Sequence, residues 1–179
     1  ALGGQVYRCP NCEQVRYSYH SCRNRHCPKC QNEKAQLWLE RQRDLLLPVP
    51  YFLLTFTLPA GFNAVARSQQ SLLYDLLFKT SAAATQQLAQ EPRWLSGQLG
   101  MLGVLHTWSR TLIFHPHVHY LIPGGGLSAD GRRWVPAKAF LLPHRALGDR
   151  CRNVFRERLQ AEHPELFAQV PARVWKQHW

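Results

Sequence analysis

The chain has 179 residues, 45% of them hydrophobic, with a formal net charge of +11 and an isoelectric point near 9.9. That length and apolar content suffice for a packed core and exclude a chain disordered throughout. The charge, carried more by arginine than by lysine, points to a polyanionic partner, most simply nucleic acid, while the most apolar stretch, 45–59, is broken by Pro48 and Pro50 and is too short to span a bilayer, so no membrane partner is expected.

Five of the six cysteines lie between Cys9 and Cys30: Cys9-Pro-Asn-Cys12, then Cys22, then Cys27-Pro-Lys-Cys30. Two Cys-x-x-Cys knuckles around a short hairpin have the spacing of a zinc ribbon. Each knuckle turns tightly enough to bring two sulfurs to one ion, and the metal–thiolate bonds hold a segment too small to have its own core. A disulfide framework would leave one of the five clustered cysteines over. Cys9, Cys12, Cys27 and Cys30 are therefore the expected ligands of a structural Zn²⁺, with Cys22, His20 and His26 in reserve. Short strands are expected over 5–8 and 14–19. Arg8, Arg16, Arg23, Arg25 and Lys29 interleave with Tyr7, Tyr17 and Tyr19, which suits a DNA-binding surface whose rings stack on unpaired bases. The same rings could instead complete a small core, and both readings stand.

An amphipathic helix is expected over 31–47, ended by Pro48. Residues 51–58, aromatic and bounded by prolines, read as a buried strand. Helical spacing of Val65, Leu72, Leu73, Leu76 and Leu77 gives one long helix or two between 62 and about 90. Two strands follow, through His106 and through His119, joined by a turn around Ser109 and Arg110. Gly124-Gly125-Gly126 is expected to break the sheet, Ser128-Ala129-Asp130-Gly131 to turn, and 133–135 to form a strand. A basic amphipathic helix over 144–160 completes an α+β pattern with an antiparallel sheet. Cys151 falls in that helix with no special role.

The chemistry concentrates at His115-Pro116-His117-Val118-His119. Side chains alternate along a strand, so His117 and His119 share a face and Val118 takes the other. A neighbouring strand through His106 would bring a third imidazole to them. Three such donors suit a borderline divalent ion and leave coordination positions open, as a catalytic site requires. His115 is a possible fourth ligand, a neighbour holding another ligand, or a phosphate contact.

These residues carry a resemblance. On Cys9-Pro-Asn-Cys12, Ser21-Cys22-Arg23-Asn24-Arg25-His26-Cys27-Pro28-Lys29-Cys30, Pro48-Val49-Pro50-Tyr51-Phe52, Phe56-Thr57-Leu58-Pro59, and the segment from His106-Thr107-Trp108 through the histidine motif to Pro123-Gly124-Gly125-Gly126, the chain resembles the rolling-circle transposases of bacterial insertion sequences. These are HUH proteins (His, hydrophobic residue, His), here of the branch with an N-terminal zinc-binding domain.

The resemblance implies a zinc-binding, zinc-ribbon-like module and linking helix over 1–47 and a ferredoxin-like HUH domain over 48–179. It also implies a single-strand DNA endonuclease and strand transferase that works on single-stranded or hairpin insertion-sequence ends, in the cytoplasm with the nucleoid. In such proteins a divalent ion such as Mn²⁺ or Mg²⁺ polarises the scissile phosphate while a tyrosine attacks, leaving a 5′-phosphotyrosine and a free 3′-OH. Magnesium prefers oxygen donors, so manganese suits the histidines better. Family members carry the attacking tyrosine on a helix well after the histidine motif, whereas the last tyrosine here is Tyr120. Alternation turns Tyr120 off the metal face, so no nucleophile is assigned. The chain is accordingly expected to be an incomplete transposase, inactive in cleavage on its own, with a non-catalytic zinc-dependent DNA-binding protein as the alternative.

Overall fold

The computed structural model describes residues 3–22 and 27–179, in two compact units, Ala1–Pro48 and Val49–Trp179. In the first, strands β1 (Gly4–Arg8) and β2 (Val15–Tyr19) form an antiparallel hairpin with Gly4 opposite Tyr19 and Arg8 opposite Val15. Its turn is closed by the Cys9 amide donating to the Gln14 carbonyl at 2.9 Å, with Glu13 in the left-handed region at φ 55°. Every residue of both strands is exposed. Two strands alone offer no second layer to pack against, so the tyrosines do not complete a core.

Helix α1 (Pro28–Asp44) follows. It begins earlier than hydrophobic spacing suggests because Pro28, with its fixed φ and missing N–H, suits the first helical turn, and Cys27 supplies the extended residue before it. Arg41 and Arg43 in the last turn favour the negative end of the helix dipole.

The second unit is built on a three-stranded antiparallel sheet in the order β3 (Tyr51–Thr57), β5 (Phe114–Pro123), β4 (Leu102–Trp108). Helix α2 (Asn63–Ser68) and the long α3 (Gln70–Gln90) connect β3 to β4, and α4 (His144–Glu162) packs on α3. Only β5 is central. β3 is an edge strand in which Phe56 alone is fully buried, and β4 is the other edge, with His106 exposed. The expectation of a buried strand at 51–58 is corrected by this order. The reason is that an apolar run fixes strand character without fixing a place in the sheet.

One face of the sheet makes the core. Val118, Tyr120 and Ile122 on β5 and Phe56 on β3 join Leu73, Leu77 and Leu88 of α3, all buried. Full burial of each large apolar side chain is worth about 2 kcal/mol. Gly103 on β4 is needed here: a Cβ would lie 2.7 Å from the Tyr120 ring and 2.9 Å from Phe78. Three hydroxyls buried in α3, those of Thr80, Ser81 and Thr85, bond to carbonyls one turn back, so none of the three is stranded in the layer.

Pro116 stands in the central strand although it has no N–H to give a ladder. The pairing shifts there: His106 faces His117, but Trp108 faces Phe114. This irregularity places Pro116 where β4 needs no donor, while its carbonyl accepts from the Leu58 amide at 3.1 Å.

Beyond β5 the sheet breaks at Gly124, as the three glycines suggest, and a separate two-stranded sheet follows. β6 (Gly125–Leu127) pairs with β7 (Trp134–Pro136) across the turn at 128–131, where Gly131 has φ 68°. A Cβ at Gly126 would meet the Gln98 backbone at 2.6 Å, so glycine permits the bridge between Gln98 and Leu127. The tail, weakly marked in the sequence, is ordered by aromatics. After α5 (Pro164–Phe167), Trp175 and Trp179 pack edge-on to buried Phe62 at 5.3 and 5.4 Å. No helix among the described residues is long and apolar enough to cross a membrane.

Candidate metal centre

The second face of the sheet carries the histidines. The β4–β5 register sets His106 directly opposite His117, and alternation adds His119 on the same side. Ring centroids are 5.3 Å apart for His106–His117, 4.7 Å for His106–His119 and 4.8 Å for His117–His119. One nitrogen from each ring can be chosen so that all lie within 4.8 Å of one another. Nitrogens sharing a zinc-sized ion stand roughly 3.4 Å apart, given bonds of about 2.0–2.1 Å, so small ring rotations would close the set.

The surroundings fix which nitrogen is free. His117 Nδ1 lies 2.6 Å from the backbone oxygen of His115. A carbonyl only accepts, so Nδ1 carries the proton and Nε2 is left with its lone pair. His119 Nδ1 lies 2.8 Å from the Thr55 hydroxyl on β3, again leaving Nε2 unclaimed. Burial first, then the neighbouring His117 and His106, push the His119 pKa below the usual imidazole range. Each cause favours the neutral ring that a metal ligand must be. The donor set fits a divalent ion. His115 has its ring 5.3 Å from that of His117 but stands outside the three-ring group, and its carbonyl is the part that engages the site.

Tyr120 points the other way, as alternation requires. Its hydroxyl bonds to Ser81 Oγ at 2.9 Å and donates to the Phe78 carbonyl at 3.1 Å, and burial raises its pKa. Tyr51 shares the histidine face but sits four residues along β3 from Thr55, roughly 13 Å away at strand rise.

In the first unit the structure brings Cys22, Cys27 and Cys30 together, with sulfurs within 4.8 Å of one another. The Cys22 amide donates to Cys30 Sγ at 3.4 Å. That bond leads in drawing the Cys30 pKa down to about 7, helped by the Cys22 side chain, Ser21 and Cys27. Cys9 is also lowered, first by the Asn11 and Cys12 amides and then by the Cys12 side chain. A lowered thiol pKa at both places favours the thiolate form that a zinc site needs.

Cys9 and Cys12, however, flank the hairpin turn, whereas Cys22 leaves the opposite end after Tyr19. The four residue steps of the hairpin separate the ends by about 14 Å. The tetrad expected from knuckle spacing therefore divides into a pair at one end and a trio, including the reserve Cys22, at the other. The signal for Cys22 was its place only five residues before Cys27. His20 donates its amide to the Gly3 carbonyl and is not one of the trio. His26, Arg23 and Arg25 lie outside the described residues, as does the side chain of Lys29. Arg8 and Arg16 are exposed on the hairpin beside Tyr7, Tyr17 and Tyr19, which are 55%, 62% and 78% exposed.

Comparison with known proteins places these features. Residues 1–58 match the family described as "Transposase zinc-binding domain", and residues 100–179 the family described as "Putative transposase". The protein named "Putative transposase y4qJ" of Sinorhizobium fredii is 44% identical over 161 residues, which is 89% of this chain and 40% of that protein. The transposase for insertion sequence element IS801 of Pseudomonas savastanoi pv. phaseolicola is 36% identical over 132 residues, 73% of this chain and 31% of that protein. The chain thus spans less than half the length of either relative. Among solved structures, the conjugative relaxase TrwC in complex with OriT DNA overlays on 62% of this chain and 44% of its own, at 19% identity and a TM-score of 0.47. With family matches at both ends and relatives across most of its length, the chain is similar to insertion-sequence transposases and carries the match to a transposase zinc-binding domain at its N-terminal end.

Proposed function

We propose that this chain is the part of a transposase that grips single-stranded DNA at an insertion-sequence end and holds the divalent ion of the strand-scission centre. The observation that carries the reading is the histidine trio: three rings on adjacent strands, with Nδ1 of His117 and of His119 engaged by oxygen and Nε2 left for an ion. A bound divalent ion there would stabilise negative charge growing on a phosphoryl oxygen. The chain's own contribution is to present three imidazoles on adjacent strands of one sheet, with His106 exposed so that a phosphate can approach from solvent. Manganese suits these donors better than magnesium. The zinc module adds exposed tyrosines and arginines that suit a single strand.

The attacking group is not assigned. Tyr120 is locked in the core, Tyr51 is far along β3, and burial raises the Tyr74 pKa above the usual phenol range despite Arg67. This favours, as a second reading for these 179 residues, DNA and metal binding without scission.

The test has two arms. Calorimetric titration of Mn²⁺ into the zinc-loaded chain should show binding that His117→Ala and His119→Ala each weaken at least tenfold. Incubation with single-stranded hairpin DNA should then give a complex but no covalent adduct. Equal Mn²⁺ affinity in all three proteins would remove the metal site, and an adduct would show that a tyrosine of this chain attacks after all.

A further inference from the structure

We propose that Thr55 is a positioning residue for the histidine centre: its hydroxyl fixes the orientation of His119 so that Nε2 faces His106 and His117. The inference rests on the metal-centre reading and adds a residue that the sequence motif does not contain. Thr55 lies on β3, directly opposite His119 in the β3–β5 ladder, and its Oγ1 is 2.8 Å from His119 Nδ1. Across the other ladder His119 faces Val104, which offers no polar atom. The Nδ1 partner within the sheet is therefore the threonine.

The two held histidines differ in how firmly their protons are placed. His117 answers to a carbonyl, which only accepts, so its Nδ1–H is dictated. His119 answers to a hydroxyl, which can accept from Nδ1–H or donate to a bare Nδ1. The first arrangement leaves Nε2 available for an ion; the second puts the proton on Nε2. Binding an ion at Nε2 selects the first, and Thr55 then accepts the Nδ1 proton. Threonine suits the task because its branched Cβ restricts χ1 in a strand, holding the hydroxyl at the ring with little entropy left to lose.

Thr55→Val keeps the shape and removes the hydroxyl, and Thr55→Ser keeps the hydroxyl and loses the branch. The side chain is exposed on an edge strand, so both variants should melt as the wild type does. Two readouts are taken on each protein: calorimetric Mn²⁺ affinity, and the ¹⁵N shifts of the His119 ring in long-range ¹H–¹⁵N spectra of the chain without added Mn²⁺. Thr55→Val should weaken Mn²⁺ about tenfold and change the His119 nitrogen shifts while leaving those of His117 in place, and Thr55→Ser should restore most of both. Wild-type affinity together with unchanged His119 shifts in Thr55→Val would overturn the proposal. If the wild type binds no Mn²⁺, the metal-centre reading fails. Unchanged His119 shifts in Thr55→Val then also refute the role of Thr55, whereas altered shifts uphold its control of the ring.

Discussion

His119 and Tyr120 are neighbours in sequence and lie on opposite faces of β5, one ring in the histidine group and the other buried against α3. Period-two alternation therefore separates a site from a core within a single strand. Tyr120→Phe tests the separation. It removes the bonds to Ser81 and to the Phe78 carbonyl, but Ser81 keeps its bond to the Leu77 carbonyl. The expected cost in urea unfolding is about 1–2 kcal/mol, with Mn²⁺ affinity unchanged. A collapse of metal affinity at constant stability would mean that Tyr120 serves the site.

How far the sequence carries can be seen residue by residue. His106, His117 and His119 are legible because their meeting needs only alternation and one hairpin, both local rules. Thr55 is not legible, since its contact with His119 bridges 64 positions and depends on β3 pairing with β5 and not with β4. The edge position of β3 was hidden for the same reason. The proximity of Cys22 to Cys27 and Cys30 is less legible, because motif spacing treats each Cys-x-x-Cys as a unit, whereas the hairpin puts the first knuckle and Cys22 at opposite ends. The docking of Trp175 and Trp179 on Phe62 left no periodic trace, because aromatic packing of a tail needs no repeat.

The cysteine grouping makes a prediction about zinc. Cys22→Ser should release the metal as readily as Cys27→Ser or Cys30→Ser, because each removes one sulfur of the trio. A tetrahedral ion needs one further donor. Zinc content after dialysis, about one per chain in the wild type, reads the outcome. Full retention in Cys22→Ser would restore the spacing-based tetrad of Cys9, Cys12, Cys27 and Cys30.

The exposed hairpin predicts how DNA is held. Replacing Arg8 and Arg16 by alanine should flatten the dependence of single-strand affinity on salt. Each lost phosphate contact lowers the slope by about 0.7 for a single strand. Replacing Tyr17 and Tyr19 by alanine should instead lower affinity at every salt concentration, by about 1–3 kcal/mol per unstacked base, and leave the slope alone. An oligonucleotide with abasic sites keeps the phosphates and loses the rings, so against it the tyrosine variants should bind like the wild type. Equal losses on both oligonucleotides would show that the tyrosines act without stacking.

Cys30 and Cys151 differ widely in thiol reactivity. Cys30, drawn down to about 7 chiefly by the Cys22 amide, is largely thiolate just above neutral pH when no metal covers it. Cys151, buried in α4, is pushed up to about 12 by loss of solvent. With zinc chelated, iodoacetamide at pH 7.5 should modify Cys30 readily and leave Cys151 untouched until urea unfolds the second unit. The same burial makes stability depend on pH. A thiol titrates near 9 in the unfolded chain and near 12 in the folded one, so the folded state binds the proton more tightly between those values. Stability owed to the neutral Cys151 is fully present below about pH 9 and declines as pH rises toward 12. Cys151→Ala removes the titrating group and should flatten that part of the curve in urea unfolding followed against pH. Rapid labelling of Cys151 in the native chain, or a wild-type decline above pH 9 that Cys151→Ala leaves unaltered, would contradict its place in the core.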